Sequence, residues 1–90
     1  MQFVIVERFL DGDPVPVYRR LRDQGRLAPA GLRYVESWVS EDLTRCYQVM
    51  ACEDRALLDE WMAAWRDIVD FEVVPAMTSD EAAAQVAPRL

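Results

Sequence analysis

A β-hairpin is encoded by residues 32–51, which read LRYVESWVSEDLTRCYQVMA. Two segments of this stretch, 32–40 and 45–51, are rich in β-branched and aromatic residues, a composition typical of strands. The residues between them, 41–44, are few and mostly polar, which favours a short reversal of the chain. The stretch therefore predicts two antiparallel strands that are neighbours in one sheet.

A helix is predicted on each side of the hairpin. The upstream helix begins with Asp13 as its cap and Pro14 in its first position, and Gly25 ends it. The downstream helix covers residues 54–65, where large apolar residues recur at the spacing of one helical face. These residues, predicted to be core rather than a cofactor site, are Leu57, Leu58, Trp61, Met62 and Trp65.

Further elements are predicted towards both ends of the chain. Residues 3–9 and 71–76 are rich in β-branched and aromatic side chains and are predicted to be strands. A short Ala-rich helix follows and runs to about Val86. Its start is marked by the capping-box spacing from Thr78 to Glu81.

The order of these elements is β-α-β-β-α-β, which predicts an α+β, ferredoxin-like fold. We expect one four-stranded antiparallel sheet with both long helices on one face, plus the short C-terminal helix. Pro75 indicates that the last strand lies at an edge or ends there. One domain is expected over residues 1–90, with a flexible tail from about residue 87.

The charged residues exclude several classes of function. The chain has ten Lys+Arg, all of them Arg, and sixteen Asp+Glu, for a net charge of −6, and it has no His. Without His there is no Ser-His-Asp triad and no imidazole for a metal site, and without Lys there is no Schiff-base chemistry. We expect no metal and no cofactor, and the acidic balance argues against nucleic acid as a partner. The arginines clustered within 19–26 are interpreted as the solvated face of the first helix.

The cysteines and the hydropathy indicate a compartment. Cys46 and Cys52 are separated by about 20 Å if the strand between them is extended, whereas a disulfide needs Cα atoms within about 7 Å. Free thiols suit a reducing cytosol, so a cytoplasmic protein is expected. No signal peptide is visible and no segment approaches the ~20 apolar residues of a membrane span, so no membrane association is expected.

Two longer stretches resemble a known family. They are residues 3–39, FVIVERFLDGDPVPVYRRLRDQGRLAPAGLRYVESWV, and residues 46–79, CYQVMACEDRALLDEWMAAWRDIVDFEVVPAMTS. They resemble a small bacterial family of uncharacterised domains (a domain of unknown function) in the dimeric alpha-beta barrel superfamily. The resemblance implies a homodimer and transfers no known catalytic residue. Several cofactor-free enzymes of that superfamily depend on His or Asn at the site, and this chain has neither.

The two faces of the hairpin are predicted from its turn. With the turn centred on Leu43, Glu36 lies opposite Met50 and Trp38 lies opposite Gln48. We expect the drier face to meet the helices, and it carries Val35, Val39, Tyr47, Val49 and Ala51. The open face then carries Tyr34, Glu36, Trp38, Cys46, Gln48 and Met50.

This open face is the predicted site. Its aromatic and Met side chains need cover, so we expect a second copy to pack against it, sheet facing sheet, and to enclose a cavity. The candidate ligand-binding residues are Tyr34, Glu36, Trp38, Gln48 and Met50. The alternative is that the apolar members are only the core of a dimer interface, with Glu36 and Gln48 at its wet edge.

Three other groups have both a chemical and a structural interpretation. Glu7 and Glu72 are either paired carboxylates for acid–base catalysis or solvated, ion-paired groups. Arg33 and Arg45 either clamp a carboxylate or form surface ion pairs. Cys46 is a nucleophile only with a depressed pKa, and a buried, inert thiol is favoured.

Taken together, these features predict a non-catalytic homodimeric domain with a pocket for a small, partly apolar ligand. One alternative is a cofactor-free enzyme, monooxygenase-like or isomerase-like, that acts on a small aromatic substrate. Another is a protein-interaction module whose partner covers the same sheet face. No motif in the sequence identifies the ligand or assigns a catalytic residue.

Overall fold

The computed structural model describes residues 1–90 and contains the predicted elements in the predicted order. The strands are β1 (Gln2–Phe9), β2 (Arg33–Val39), β3 (Arg45–Ala51) and β4 (Val69–Ala76). The helices are α1 (Val15–Gln24), α2 (Arg55–Ala63) and α3 (Ser79–Val86). Single turns of 3-10 helix lie at Leu10–Gly12 and Ala87–Arg89. The fold is α+β and ferredoxin-like, as the sequence predicts.

The four strands form one antiparallel sheet in the order β2-β3-β1-β4. The central strands are β1 and β3, and the edges are β2 and β4. Pro75 lies opposite Phe3 in β4, so it occupies an edge strand, where a residue without an N–H group is tolerated. The prediction of an edge position is confirmed.

The core lies between one face of the sheet and the helices. Phe3, Ile5 and Phe9 of β1 are buried on this face, which we call the helix-covered face. The buried residues of α2 and of the turn that follows it are Leu58, Trp61, Met62 and Trp65. Helix α1 packs less deeply, through the partly buried Val17 and Leu21. The prediction that both tryptophans belong to the core is confirmed.

Side-chain caps fix the points where the helices begin. Asp13 Oδ1 accepts a hydrogen bond from a first-turn N–H of α1 at 3.0 Å, and Asp54 Oδ1 accepts one from α2 at 2.9 Å. Thr78 and Glu81 form the reciprocal bonds of a capping box at α3. These contacts satisfy N–H groups that have no partner within the first turn of a helix.

Strands β2 and β3 pair one residue away from the predicted register. Trp38 lies opposite Tyr47 and not opposite Gln48. The reason is the turn, which is closed by Ser40 and Arg45, with the Ser40 N–H donating to the Arg45 carbonyl at 2.9 Å. Because side chains alternate along a strand, this register puts Trp38 and Gln48 on opposite faces.

A β-bulge in β2 adds a second departure from the prediction. Tyr34 lies opposite Met50, whereas Glu36 lies opposite Val49, with the irregularity between them. A bulge inserts one extra residue into a strand, so the alternation of faces is interrupted at Val35. Tyr34 therefore lies on the helix-covered face and Glu36 on the other, which we call the open face.

The prediction of which β3 face meets the helices is wrong. Cys46, Gln48 and Met50 are buried on the helix-covered face, and Tyr47 is exposed on the open face. The reason is the pairing with β1, in which Met50 lies opposite the core residue Phe3. The core parity of β1 thus decides the face of β3, and the polarity of the hairpin alone does not.

The helices are short and the cysteines are unpaired. The longest helix, α1, has 10 residues, and no helix has the length and apolar character needed to cross a bilayer. Cys46 and Cys52 are both free and buried, as expected from their separation along the chain.

Candidate functional site

A cavity of about 170 Å³ lies between the helix-covered face and the helices. An engineered apolar cavity of about 150 Å³ holds benzene, so this volume suits a molecule built on one ring. The apolar walls are Phe9, Val17, Leu21, Val39, Trp61 and Trp65. The lining side chains with polar atoms are Glu7, Tyr18, Arg26, Ser37, Cys46 and Gln48.

Glu7 is the only carboxyl group in the lining. It lies on the helix-covered face of β1 and only 7% of it is exposed. Gln48 Nε2 donates a hydrogen bond to Glu7 Oε2 at 3.4 Å, and the Cys46 thiol donates another hydrogen bond to this carboxyl group. Burial raises the pKa of Glu7 from 4.5 to about 7, against smaller lowering effects of the Cys46 hydrogen bond and the Arg26 charge. Near neutral pH the carboxyl group is therefore divided between its protonated and ionised forms.

Arg26 continues the hydrogen-bond chain that starts at Glu7. Its Nη1 donates to Gln48 Oε1 at 2.7 Å, and its guanidinium carbon lies 3.7 Å from the centre of the Tyr34 ring. Its backbone carbonyl accepts hydrogen bonds from both indole N–H groups, of Trp61 at 3.0 Å and Trp65 at 2.8 Å. Arg26 is thus held at both ends, and the two indole N–H groups are already hydrogen-bonded, so they offer no free donor to the cavity.

The end of α1 brings Arg26 to the cavity. Gly25 follows the helix with a φ of 73°, a left-handed conformation that favours glycine, and its N–H donates to the Leu21 carbonyl at 2.9 Å. The chain then leaves the helix axis, and Arg26 becomes partly buried. The interpretation of the arginine cluster as a solvated face holds for the exposed Arg19 and Arg22 but is wrong for Arg26.

Cys46 and Tyr18 of the cavity keep their protons at neutral pH. Burial, followed by the nearby Glu7, raises the pKa of Cys46 to about 12, so this residue is a thiol and not a thiolate. Burial also raises the pKa of Tyr18, with further contributions from Cys46 and Glu7. Both groups are hydrogen-bond donors, which agrees with the prediction that Cys46 is not an active nucleophile.

Comparison with known families gives one match, which covers residues 1–90 and is described as a domain of unknown function, DUF3303. The chain belongs to the DUF3303 family. This confirms the resemblance to an uncharacterised family of small domains. No functionally curated protein matches the sequence.

A solved structure similar to this DUF3303 chain supports its fold. The protein Rv0793 from Mycobacterium tuberculosis has a TM-score of 0.50 at 19% identity, over 88% of this chain and 98% of its own. The protein Atu4242 from Agrobacterium tumefaciens has a TM-score of 0.49 at 16% identity, over 88% of this chain and 96% of its own. An identity of 19% relates the fold of this chain to that of Rv0793 and carries no residue roles.

The structure divides the five candidate residues of the DUF3303 chain between two places. Gln48 lines the cavity, Tyr34 lies beneath Arg26, and Met50 is fully buried in the core. Glu36 and Trp38 are exposed on the open face, and 68% of Trp38 is accessible. The five do not form one surface, because the register and the bulge separate them.

The remaining predicted pairs are not brought together. Glu7 lies opposite Phe71, whereas Glu72 lies on the open face, 3.9 Å from Arg8. The interpretation of Glu72 as an ion-paired group is therefore the correct one. Arg33 and Arg45 lie at opposite ends of the sheet, so they do not clamp one carboxylate.

Three polar members of the cavity lining, Glu7, Tyr18 and Arg26, are not among the five candidate binding residues. Glu7 could have been found, because Phe3, Ile5 and Phe9 make every second position of β1 a core position. Tyr18 shares one face of α1 with the apolar Val17 and Leu21, a pattern that by itself indicates core and not a site. Arg26 carries no such signal, since it lies in a loop whose path is set by packing.

Proposed function

We propose that this DUF3303 domain binds one small, largely apolar molecule in the cavity, through a polar group that bonds to Glu7 and Gln48. The observation that carries the proposal is a buried carboxyl group facing a cavity whose remaining walls are largely apolar. A carboxyl group at a core position of a strand costs stability unless it is hydrogen-bonded. Here its only bonding partners are an amide and a thiol, and it has no salt bridge.

The lining supports a choice of ligand by size and polarity. The volume accommodates a single ring, and the ring surfaces of Trp61 and Trp65 offer stacking contacts. Gln48 and Tyr18 can donate hydrogen bonds, and Glu7 can donate or accept according to its protonation. A neutral ring that carries a carbonyl or hydroxyl group matches these contacts.

Of the residues that the hairpin pattern suggested, Gln48 is proposed to contact the ligand. Tyr34 is proposed to position Arg26, whose guanidinium group lies over its ring. Glu36 and Trp38 are proposed to belong to an interface on the open face. Met50 is proposed to support the core between the sheet and the helices.

Binding is tested by following the indole N–H signals of Trp61 and Trp65 by NMR during titration with cyclohexanone or phenol. We expect these signals to shift with the one-ring compounds and not with the two-ring compound 2-naphthol. Gln48→Ala weakens binding, whereas the matched substitution Gln24→Ala, on an exposed position of α1, leaves binding unchanged. Unshifted indole signals with every one-ring compound would show that the cavity is only a packing defect.

We further propose that two copies pair through the open face. In support, Trp38 and Tyr47 lie opposite each other on it, and they are 68% and 39% exposed. The edge strand β4 adds Val74, which is 46% exposed. Exposed apolar patches of this kind mark interaction surfaces. The resemblance to a superfamily of dimers agrees with this assignment.

Two other features support a second copy as the occupant. Arg8 and Arg45 lie directly opposite each other on the open face, and Glu36 of the same face has no salt bridge. A contact related by two-fold symmetry can place carboxylates of one copy near the two neighbouring arginines of the other copy. Helix α3 buries none of its residues, and helices as short as eight residues are marginal unless they pack on something.

A cytoplasmic location is also proposed, in a bacterial cell. It is supported by two cysteines, Cys46 and Cys52, that remain free thiols.

A further inference from the structure

We propose that the cavity catalyses a proton shift within a small cyclic ketone, with Glu7 as the group that takes the proton from one carbon and returns it to another. This inference rests on the proposed binding function and adds a reaction to it. The substrate class is a one-ring ketone whose double bond is one position away from conjugation with the carbonyl group. The product is the conjugated isomer.

The first support is the isolation of Glu7. It is the only carboxyl group of the lining, it is 7% exposed, and none of the salt bridges of the chain includes it. A carboxylate locked to a cation is a poor base, whereas one held by Gln48 and Cys46 keeps an oxygen lone pair for a ligand. In a cavity of about 170 Å³, any ring that enters lies beside this group.

The second support is the set of donors that share the cavity. Tyr18, Gln48 and Arg26 all line it, and each can donate a hydrogen bond to an oxygen atom. Negative charge that develops on a carbonyl oxygen during proton removal is stabilised by such fixed donors, especially where water is excluded. The cavity therefore holds both a base and hydrogen-bond donors for the oxygen atom of one enolate.

The charged and titratable groups around Glu7 are compatible with this role. Three such groups face Glu7, namely Tyr18 from α1, Cys46 from β3 and Arg26 from the loop after α1. Its neighbour on β4, Phe71, and the indoles of the α2 region have no titratable group. A general base works best when its pKa lies near the operating pH, and that of Glu7 is about 7.

The step balances without an oxidant or a cofactor. The Glu7 carboxylate takes the proton from the carbon between the carbonyl group and the double bond, which breaks that C–H bond and forms a dienolate. The electron pair of the broken bond is delocalised onto the carbonyl oxygen. Protonated Glu7 then delivers the same proton to the far carbon of the former double bond, and the carbonyl group re-forms in conjugation. Glu7 ends as a carboxylate.

The test uses cyclohex-3-en-1-one as the probe and follows the absorbance of its conjugated isomer, cyclohex-2-en-1-one. We expect the rate to rise with pH through about 7, the pKa of Glu7, and to level off above it. Glu7→Gln is expected to lower the rate by about 10²–10⁴-fold. It is nearly isosteric with Glu and removes a buried charge, so the protein is expected to fold. The control Glu72→Gln changes a carboxylate on the open face and leaves the rate unchanged.

Two outcomes overturn the inference and leave the binding proposal intact. The first is that cyclohexanone shifts the indole signals while the probe is not isomerised. The second is that Glu7→Gln isomerises the probe as fast as the unchanged protein, because the base then lies elsewhere. If neither ketone shifts the indole signals, the binding proposal itself has failed, and the inference with it.

Discussion

At the scale of single residues, Glu7 is the most informative position in the chain. A carboxyl group on the core side of a central strand is held by an amide and a thiol, and its proton is bound more tightly in the folded protein than in the unfolded chain. This preference links the protonation of one residue to the stability of the whole fold.

The free energy of unfolding is expected to depend on pH through Glu7. Because the folded pKa of about 7 lies above the ordinary value of 4.5, the contribution of Glu7 is most favourable below about pH 4.5 and is lost as pH rises through about 7. The shift corresponds to roughly 3 kcal/mol at most. We expect the free energy of unfolding to fall between about pH 5 and pH 8 in the unchanged protein, and to fall much less in Glu7→Gln.

Urea denaturation across this pH range measures the effect. Asp42 and Asp67 do not confuse it, because their pKa values are lowered by hydrogen bonds and they titrate in the acidic range. Glu72→Gln serves as the control, and its pH dependence should match that of the unchanged protein. Equal slopes for Glu7→Gln and the unchanged protein would mean that Glu7 is ionised throughout the range.

At the scale of elements, two helices that both begin with a side-chain cap have different surroundings. Asp54 caps α2, which buries Leu58, Trp61 and Met62 in the core. Thr78 caps α3, which buries nothing within its own chain. Most of the stability of a short helix comes from its packed face and not from its intrinsic propensity.

The two caps are therefore expected to contribute differently to the stability of the fold. Asp54→Ala is expected to lower the free energy of global unfolding by about 1 kcal/mol, the usual cost of losing an N-cap. Thr78→Ala removes a capping box, but it should leave the free energy of global unfolding unchanged in a monomeric chain. The substitution Trp38→Asp, which places a charge in the proposed dimer interface, provides that monomer. Chemical denaturation of both variants in that background provides the measurement. A loss of equal size for Thr78→Ala would show that α3 packs on its own chain.

At the scale of the whole molecule, the two faces of the sheet have different roles. The helix-covered face encloses the cavity, and the open face exposes Trp38 and Tyr47. A chain of 90 residues buries only about 60–65% of the surface that its unfolded form exposes, so it gains more than a larger domain does from a partner.

The prediction at this scale is that the protein is a dimer, with twice the mass of the 10.4 kDa chain by size-exclusion chromatography with light scattering. Trp38→Asp places a charge in the proposed interface and is expected to give a monomer. The control Leu43→Asp changes an apolar residue that is 51% exposed in the hairpin turn, and we expect it to remain dimeric. Leu43 has a φ of 63°, a left-handed conformation that Asp tolerates better than Leu.

A monomer at every concentration would contradict the homodimer. It would favour the alternative in which a different protein covers the open face. The proposed ligand site does not depend on this outcome, because the cavity lies under the helices and not on the open face.

Local signals in the sequence were enough for the elements and their order. The caps at Asp13 and Thr78 and the apolar stripe of α2 depend on neighbours within a few residues, so they could be recognised directly. The face of each hairpin side chain depends on contacts between distant segments. A difference of one residue at the turn and one bulge was sufficient to separate Trp38 from Gln48.

The sequence by itself determined the α+β fold and the core positions of Trp61 and Trp65, because both follow from local propensity and periodicity. Only the tertiary structure decided that the candidate site lies under the helices and not on the open face. The physical reason is that β1 sets the orientation of β3, through Met50 opposite Phe3, and that Arg26 reaches Gln48 across 22 residues of sequence. A hydrophobic pattern records that a strand has two faces, but the packing of the other elements determines which face is covered.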